Sequence, residues 1–322
     1  MSPPSDDRLG EAVKAPWHRF LEDYEPLRPD LYRYCRYLTG SPWDAEDLAQ
    51  DALARAFVSL ACLREPPANP RAWLFRVASN GWMNHVKHVR DRAGTRATDA
   101  ALPEEAEAPA PEPRATREAA GTLLAQLAPQ ERAALVLKDV FDLSLAEIAL
   151  ALSTSVGAVK AALHRGRGKL TEVVDAPRAE VAPPVLDAFC AAFNARDLDR
   201  LTALLLDTTT VELPGLMIEV GPAAARAGTF RGTLLGCADA GYEAPADARS
   251  EVRLHRGEPL LLWWADGAVD TVVRAVVEDD RIARLVSYHH APELVVEVCR
   301  ELDVPFRTHG YRTTAAAAGG AR

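Results

Sequence analysis

Cysteine is scarce in this chain and poorly placed for chemistry. Five residues, Cys35, Cys62, Cys190, Cys237 and Cys299, are scattered through 322 positions with no CxxC pair. That spacing argues against a zinc site or a disulfide framework and fits a reducing compartment. No apolar run approaches the roughly 20 residues needed to span a bilayer, and the N-terminus has no signal-peptide core. Excess positive charge is missing too: 37 Lys+Arg stand against 46 Asp+Glu, a formal net charge of −9. Non-specific attraction to a polyanion scales with the phosphates neutralised, so contact with nucleic acid has to be local or made within a larger assembly. A cytoplasmic protein is expected, off the membrane, with no metal and no cofactor.

The apolar content of 48% is ample for folded cores, and 23 prolines mark boundaries between them. Three bodies are expected, over residues 17–92, 118–175 and 184–310. Between the first two, residues 93–117 turn to Ala, Pro and Glu, which cannot bury a core and read as an extended acidic linker. A shorter linker spans 176–183, and the Ala/Gly-rich residues 311–322 read as a disordered tail.

The most informative stretch runs from Leu143 to Leu170. Ser144 followed by Glu147 is a capping-box signature opening a short helix that carries Leu145, Ile148, Ala149 and Leu152 inward. Ser153 and Thr154 then break that helix and cap a second, in which Val156, Val159 and Leu163 recur at helical spacing and face the first. The outer faces of the second helix carry Lys160, His164, Arg165, Arg167 and Lys169, with no carboxylate between Thr154 and Leu170. A short helix crossing a basic one is the geometry that places side chains in a DNA major groove.

Two features stand out in the first body. Asp44, Asp47 and Asp51 fall three and four residues apart and share one helix face, while Ala45, Leu48, Ala49, Ala52 and Ala56 form the buried stripe. An acidic face with no interleaved lysine repels itself, which suits a basic partner and equally suits a merely solvated surface. Next, Asn69-Pro70 opens a long helix in which Asn80, Asn84, Lys87 and His88 line a polar stripe, followed by Arg90 and Arg92. Aromatic and amide groups beside basic ones suit unpaired bases, which need stacking surfaces and edge hydrogen bonds. Trp73, Phe75 and Trp82 read equally as core, Trp73 in either case.

The helix Asp44-Ala-Glu-Asp-Leu-Ala-Gln-Asp51, the helix from Asn69 through Asn80 and the segment Val156 to Arg167 together resemble regions 2 and 4 of the sigma-70 family, and within it the extracytoplasmic-function sigma factors. The resemblance covers roughly the first 175 residues. It implies that Asp44, Glu46, Asp47, Gln50 and Asp51 meet core RNA polymerase at the clamp of its β′ subunit, with region 4 at the β flap. It further implies that Arg71, Arg76, Asn80, Asn84, Lys87 and Arg90, with the loop from Cys62 to Asn69, open and read the minus-ten promoter element. Ser155, Lys160, His164, Arg165 and Arg167 would read the minus-thirty-five element. The polymerase core would then supply the DNA affinity that the acidic chain lacks. Three departures weaken the match: Ala162 stands where the family usually has Arg, Gly166 and Gly168 loosen the recognition helix, and Asn84 replaces a common Asp.

Beyond Pro184 the pattern changes in kind. A helix from Pro184 to Leu206 and a mixed stretch are followed by strand-like runs over 251–256, 260–265, 268–278 and 281–288, with Asp266-Gly267 and Asp279-Asp280 as hairpin turns. One long helix against an antiparallel meander is an α+β domain. Phe193 to Leu204 and Thr210 to Pro214 are similar to the SnoaL-like branch of the nuclear transport factor 2-like fold, which implies a cone-shaped cavity. Trp263, Tyr288 and His289 are its candidate lining and a small molecule its candidate ligand. Adjacent His289 and His290 on a strand point to opposite faces, as do Trp263 and Trp264, so each pair can place one member in a pocket. Tyr288, His289, His290, Asp266 and Asp270 are the titratable groups available, and they make no convincing catalytic set. The fold class expected is therefore two all-α domains, the second with a helix-turn-helix, plus an α+β domain. The function expected is a promoter-directing sigma factor that is not an enzyme. Two alternatives stay open: a ligand-sensing helix-turn-helix regulator that never touches polymerase, and a cyclase- or isomerase-type domain fused to a DNA-binding segment.

Overall fold

Caps and prolines set the helix boundaries of the N-terminal unit. Helix α1 (Arg28–Thr39) stops at Gly40, whose φ of 81° only glycine adopts freely and whose N–H donates to Arg36 O. Helix α2 (Pro42–Leu60) starts behind Ser41, whose hydroxyl accepts from Asp44 N. Asn69 opens α3 (Pro70–Arg92) by accepting from Ala72 N at 3.0 Å. The computed structural model describes residues 16–17, 19–20, 23–92, 127–169, 182–236 and 243–310. These fall into two compact units, Met1–Ala176 and Pro177–Arg322. The expected linker over 93–117 and the tail over 311–322 lie outside the described residues, as does nearly all of the linker over 176–183.

The alanine stripe on α2 (Ala45, Ala49, Ala52, Ala56) is fully buried and lets α1 and α3 approach closely. Leu31, Tyr34, Cys35 and Leu38 meet it from α1, and Leu74, Phe75 and Ala78 come from α3. Each buried Leu or Phe contributes about 1.5–3 kcal/mol to this core. Tyr34 Oη lies 2.7 Å from Ser79 Oγ, and that hydroxyl in turn donates to Phe75 O. Within this apolar packing sits an ion pair, Arg28 of α1 with Glu46 of α2, their side chains 2% and 0% exposed.

The second half of the unit folds as expected for a helix-turn-helix. Helix α4 (Pro129–Leu135) continues into a π-turn (Val136–Val140), followed by α5 (Leu145–Ala151) and α6 (Val156–Gly168), the last two bent 97° from each other. Ser144 and Glu147 form the full capping box: Ser144 Oγ accepts from Glu147 N, and Glu147 Oε2 accepts from Ser144 N. The cap of α6 is Ser155, accepting from Ala158 N at 3.1 Å, rather than Ser153 or Thr154. Thr154 N instead closes on Ala149 O, and Ser153 takes a φ of 51° to turn the chain. Val156, expected to face α5, is 40% exposed because the later cap rotates the helix start. Gly166 has a packing reason: a Cβ there would sit 2.5 Å from Leu135 Cδ1, so any larger residue would force the Leu135 side chain to move where α6 crosses α4. These helices dock on the first three. Arg132 donates to Leu38 O and lies over Trp82, while the Phe141 ring sits 4.9 Å from Phe75 and 6.0 Å from Tyr34.

In the C-terminal unit the helix expected to reach Leu206 is broken. Helix α7 (Pro184–Asn194) ends at a turn in which Arg196 has a φ of 54° and donates to Leu234 O and Pro245 O. Asp197 then caps α8 (Leu198–Ala203). The sheet has six strands: β1 (Leu205–Leu213), β2 (Met217–Val220), β3 (Arg249–His255), β4 (Glu258–Ala265), β5 (Ala268–Glu278) and β6 (Arg281–Ser287), in the order β2-β1-β6-β5-β4-β3. It is mixed and not a simple meander, because β1 runs parallel to β6. Asp266-Gly267 and Asp279-Asp280 turn as expected, both residues of each pair at positive φ, and Arg256-Gly257 makes a third such turn. Phe189, Phe193, Leu201, Phe230, Leu261, Trp263, Val273 and Leu285 form the core between the helices and one face of the sheet. Helix α9 (Pro292–Glu301) follows β6 and buries Leu294, Val295, Val298 and Cys299.

Removing one partner of a buried ion pair leaves the other charge uncompensated. Glu46→Ala is therefore expected to destabilise the N-terminal unit by about 3–5 kcal/mol. Asp47→Ala, on the exposed face, should stay within about 0.5 kcal/mol. Urea unfolding of both variants checks this, and equal midpoints would remove the structural role given to Glu46.

Candidate nucleic-acid interface

Helix α2 presents two different faces. Asp44, Asp47 and Asp51 are exposed along one side, as the three- and four-residue spacing requires. Glu46, grouped with them from the sequence, points the other way, because the Arg28 guanidinium lies beneath the helix and needs a buried counter-charge. Gln50 is half-buried and donates to Glu46 Oε1 at 2.8 Å, bracing that carboxylate. The ridge is also less self-repelling than its sequence suggests, since Asp51 pairs with Arg55 at 2.8 Å.

At the far end of α2 an open cavity of about 810 Å³ lies against α3. Its walls are Ala54, Arg55, Val58 and Ser59 of α2, Cys62 and Leu63 of the following turn, and Trp73, Arg76, Val77 and Asn80 of α3. An aromatic plane, guanidinium groups and an amide around one apolar opening offer stacking and edge hydrogen bonds together. Asn80 and Arg76 were expected in this role from the sequence. Trp73 was expected in the core but is half-buried and walls the cavity, with the Tyr24 ring 6.2 Å away. Leu63, 44% exposed, belongs to the Cys62–Asn69 loop expected here, and Val58, 64% exposed, is a missed member.

Further along α3, Asn84, Lys87 and His88 continue the exposed stripe begun by Asn80. Arg71 lies apart from it. It pairs with Asp30 at 2.7 Å and stands over the Phe75 and Phe141 rings, so its charge is spent within the fold. The side chain of Arg90 lies outside the described residues.

On α6, Ser155, Lys160 and His164 are exposed. Arg165 and Arg167 are engaged by carboxylates that the local sequence could not reveal: Glu131 at 2.9 Å and Asp139 at 2.8 Å, both from the preceding helical segment. Lys169 also reaches Glu131, at 3.0 Å. Burial acts to raise the Glu131 carboxyl, but hydrogen bonds from Lys169 and Arg165 outweigh it and hold the group below its usual range. Ala162, where the family usually has Arg, is 1% exposed, so this position faces the core.

The C-terminal candidates separate. Trp263 is a core residue packed against Phe193, ring centroids 5.0 Å apart and planes tilted by 32°, and Tyr288 is buried. His289 and His290 are in the turn after β6 and not on a strand, so the alternation argument does not hold, and their rings stand 4.7 Å apart. His289 meets Asp270 and His309 instead, 3.2 Å from Asp270 Oδ2.

Sequence comparison matches residues 24–92 to sigma-70 region 2 and residues 117–170 to sigma-70 region 4. The chain is 31% identical over 243 residues to the extracytoplasmic-function sigma factor SigG of Mycobacterium tuberculosis, with 66% of this chain and 63% of SigG covered. It therefore spans a little under two thirds of that relative's length. It is 32% identical over 197 residues to SigE of Mycolicibacterium smegmatis, covering 56% of this chain and 73% of that protein. The crystal structure of M. tuberculosis SigJ aligns over 86% of this chain and 98% of its own at 24% identity, with a TM-score of 0.32. No single helix among the described residues is long and apolar enough to cross a membrane. With region 2, region 4 and the SigE-like span all accounted for, the chain belongs to the extracytoplasmic-function sigma factors of RNA polymerase.

Proposed function

We propose that this protein binds core RNA polymerase in the cytoplasm and directs it to promoters, as a transcription initiation factor and not an enzyme. The observation that carries the reading is the cavity between α2 and α3. Trp73, Arg76 and Asn80 line an open apolar site equipped to stack and hydrogen-bond a base taken out of the duplex, and the Asp44–Asp47–Asp51 ridge lies on the same helix that forms its wall. The ridge would dock on the β′ clamp, the cavity and the Asn80–Lys87 stripe would read the minus-ten element, and α6 would read the minus-thirty-five element with Ser155, Lys160 and His164. Arg165 and Arg167 would have to exchange their carboxylate partners for phosphates, and Arg71 contributes through the fold.

The docked helix-turn-helix adds a requirement. Elements 25 base pairs apart are separated by roughly 85 Å of B-DNA at 3.4 Å per pair. A compact body of 176 residues has a radius of gyration near 16 Å. On this reading both elements are engaged together only after the Arg132 and Phe141 contacts open. Polymerase binding would supply the free energy for that opening. The C-terminal α+β domain, of the SnoaL-like type by resemblance, would modulate the same step, alone or with a small molecule.

Three measurements test this. Asp47→Lys combined with Asp51→Lys should abolish retention of core polymerase in a pull-down while leaving the circular dichroism spectrum intact; undiminished retention refutes the docking ridge. Asn80→Ala should lower permanganate reactivity of the minus-ten thymines several-fold with closed-complex binding largely kept, and normal strand opening would count against the cavity as a base pocket. A chain ending after Ala182 should differ from the full protein in run-off yield from the target promoter. Identical core affinity, open-complex yield and transcript would make the C-terminal domain a passenger.

A further inference from the structure

A second constellation lies in the C-terminal unit, away from every residue assigned above to polymerase or DNA. Asp270, His289 and His309 come from three separate segments, yet their ligating atoms all lie within 4.8 Å of one another. His309 Nε2 is 2.8 Å from Asp270 Oδ1, and His289 Nδ1 is 3.2 Å from Asp270 Oδ2. The two imidazole rings are stacked, centroids 3.9 Å apart and planes 19° from parallel, so both present a nitrogen to the same carboxylate.

The backbone builds this convergence. Trp263 pairs with Thr271 but Trp264 pairs with Val269, so Asp270 is the extra residue of a β-bulge. A bulge re-aims a side chain that regular pleating would send elsewhere. Thr271 Oγ1 consequently lies 3.3 Å from Asp270 Oδ2 and 2.8 Å from His289 Nδ1. His289 is held in the turn that follows β6, where Ala291 N donates to Tyr288 O. His309 arrives on a strap after α9, which is laced beside β5 by Val269 N to Pro305 O at 2.8 Å and Arg307 N to Val269 O at 2.9 Å. His290 Nδ1, 2.7 Å from Gly310 O, fixes the strap one residue beyond.

We propose that Asp270, His289 and His309 bind a divalent transition-metal ion, with zinc as the best-matched cation, and that the ion clasps the strap over residues 304–310 to the edge of the bulge. Two imidazoles and one carboxylate are the donor set of zinc and of divalent iron, cobalt or nickel; magnesium and calcium take oxygen donors alone. Asp270, His289 and His309 are 20%, 27% and 31% exposed, shielded enough to hold a geometry and open enough for water to complete the coordination. Thr271 would orient the carboxylate from outside the ligand set, as hydroxyl partners of metal-bound groups do. The cation nearest the site, Arg307, lies 4.0 Å from Asp270 Oδ1, with its guanidinium committed to Asp266 Oδ2 and Ala265 O. An ion here would couple metal supply to the stability of the C-terminal domain, because binding to the native state alone stabilises that state by mass action.

Titration of the chelator-treated full-length protein with cobalt(II), read by visible d–d absorption, and with zinc, read by calorimetry and by the thermal unfolding midpoint, tests the site. One equivalent is expected to bind and to raise the midpoint. Asp270→Asn and His309→Gln should each weaken binding at least tenfold and remove the thermal shift, while His85→Gln, at an exposed position on α3 outside the cluster, keeps both. His309 sits near the end of the described chain on an exposed strap, so its variant is expected to fold, which circular dichroism verifies. No cobalt spectrum in the wild type, or binding that survives both ligand variants, would overturn the site and leave the cluster a hydrogen-bonded latch.

Discussion

Everything assigned to the N-terminal unit depends on the buried pair of Arg28 and Glu46. A guanidinium and a carboxylate removed from water are tolerated only together, so α1 and α2 cannot slide or rotate against each other without exposing an unpaired charge to the core. Fixing the rotation of α2 determines which of its acids are external. Asp44, Asp47 and Asp51 form a ridge because Glu46 is turned inward. The same constraint orients the distal end of α2, where Val58 and Ser59 wall the cavity, so one buried interaction fixes two surfaces of different charge on a single helix. Such pairs are poor sources of stability, and their value here lies in specifying one packing among several.

The contacts between the two helical halves work in the opposite sense. Arg132 on Leu38 O and Phe141 between Phe75 and Tyr34 hold the helix-turn-helix against the first three helices. They also engage Arg71, whose charge is shared between Asp30 and two aromatic faces. Likewise Glu131 and Asp139 cover two of the basic groups on α6. In this arrangement part of the cationic surface proposed for DNA is neutralised internally. A net charge of −9 leaves little non-specific attraction to a polyanion, which suits a factor whose promoter contacts are proposed to form only on the polymerase.

Local signals were the legible ones. Ser144 with Glu147, Asn69 with Pro70, and the Asp266-Gly267 and Asp279-Asp280 turns are decided within four residues, and the structure has each of them. The unread features are those whose partner is remote. Glu46 was placed among the polymerase contacts by family resemblance, because nothing near it announces Arg28, 18 positions earlier. Arg165 and Arg167 looked free because Glu131 and Asp139 lie about thirty residues upstream. Strand β1 escaped because its burial pattern is irregular and its register slips between Leu205 and Thr210, which erases the two-residue period. The turn at Arg196 was hidden by a helical pattern continuing on both sides of it.

Non-locality also separates the two parts of the C-terminal unit. Its core is conventional: Phe189, Phe193 and Trp263 fill the space between α7 and the sheet, and Asn194 ties the end of α7 to Ser250 through two hydrogen bonds. Trp263 therefore serves packing, and the pair of histidines once assigned to opposite faces serves neither face. Because the chain leaves β6 at Ser287, His289 and His290 are freed from strand alternation, and because β5 bulges at Asp270, a carboxylate is displaced toward them. Two departures from regular β geometry, facing one another across adjacent strands, thus create polar chemistry at the margin of an apolar domain. Regular pleating at either place would have kept Asp270 and His289 apart, and His309 would then have lost the carboxylate that ties its side chain to β5.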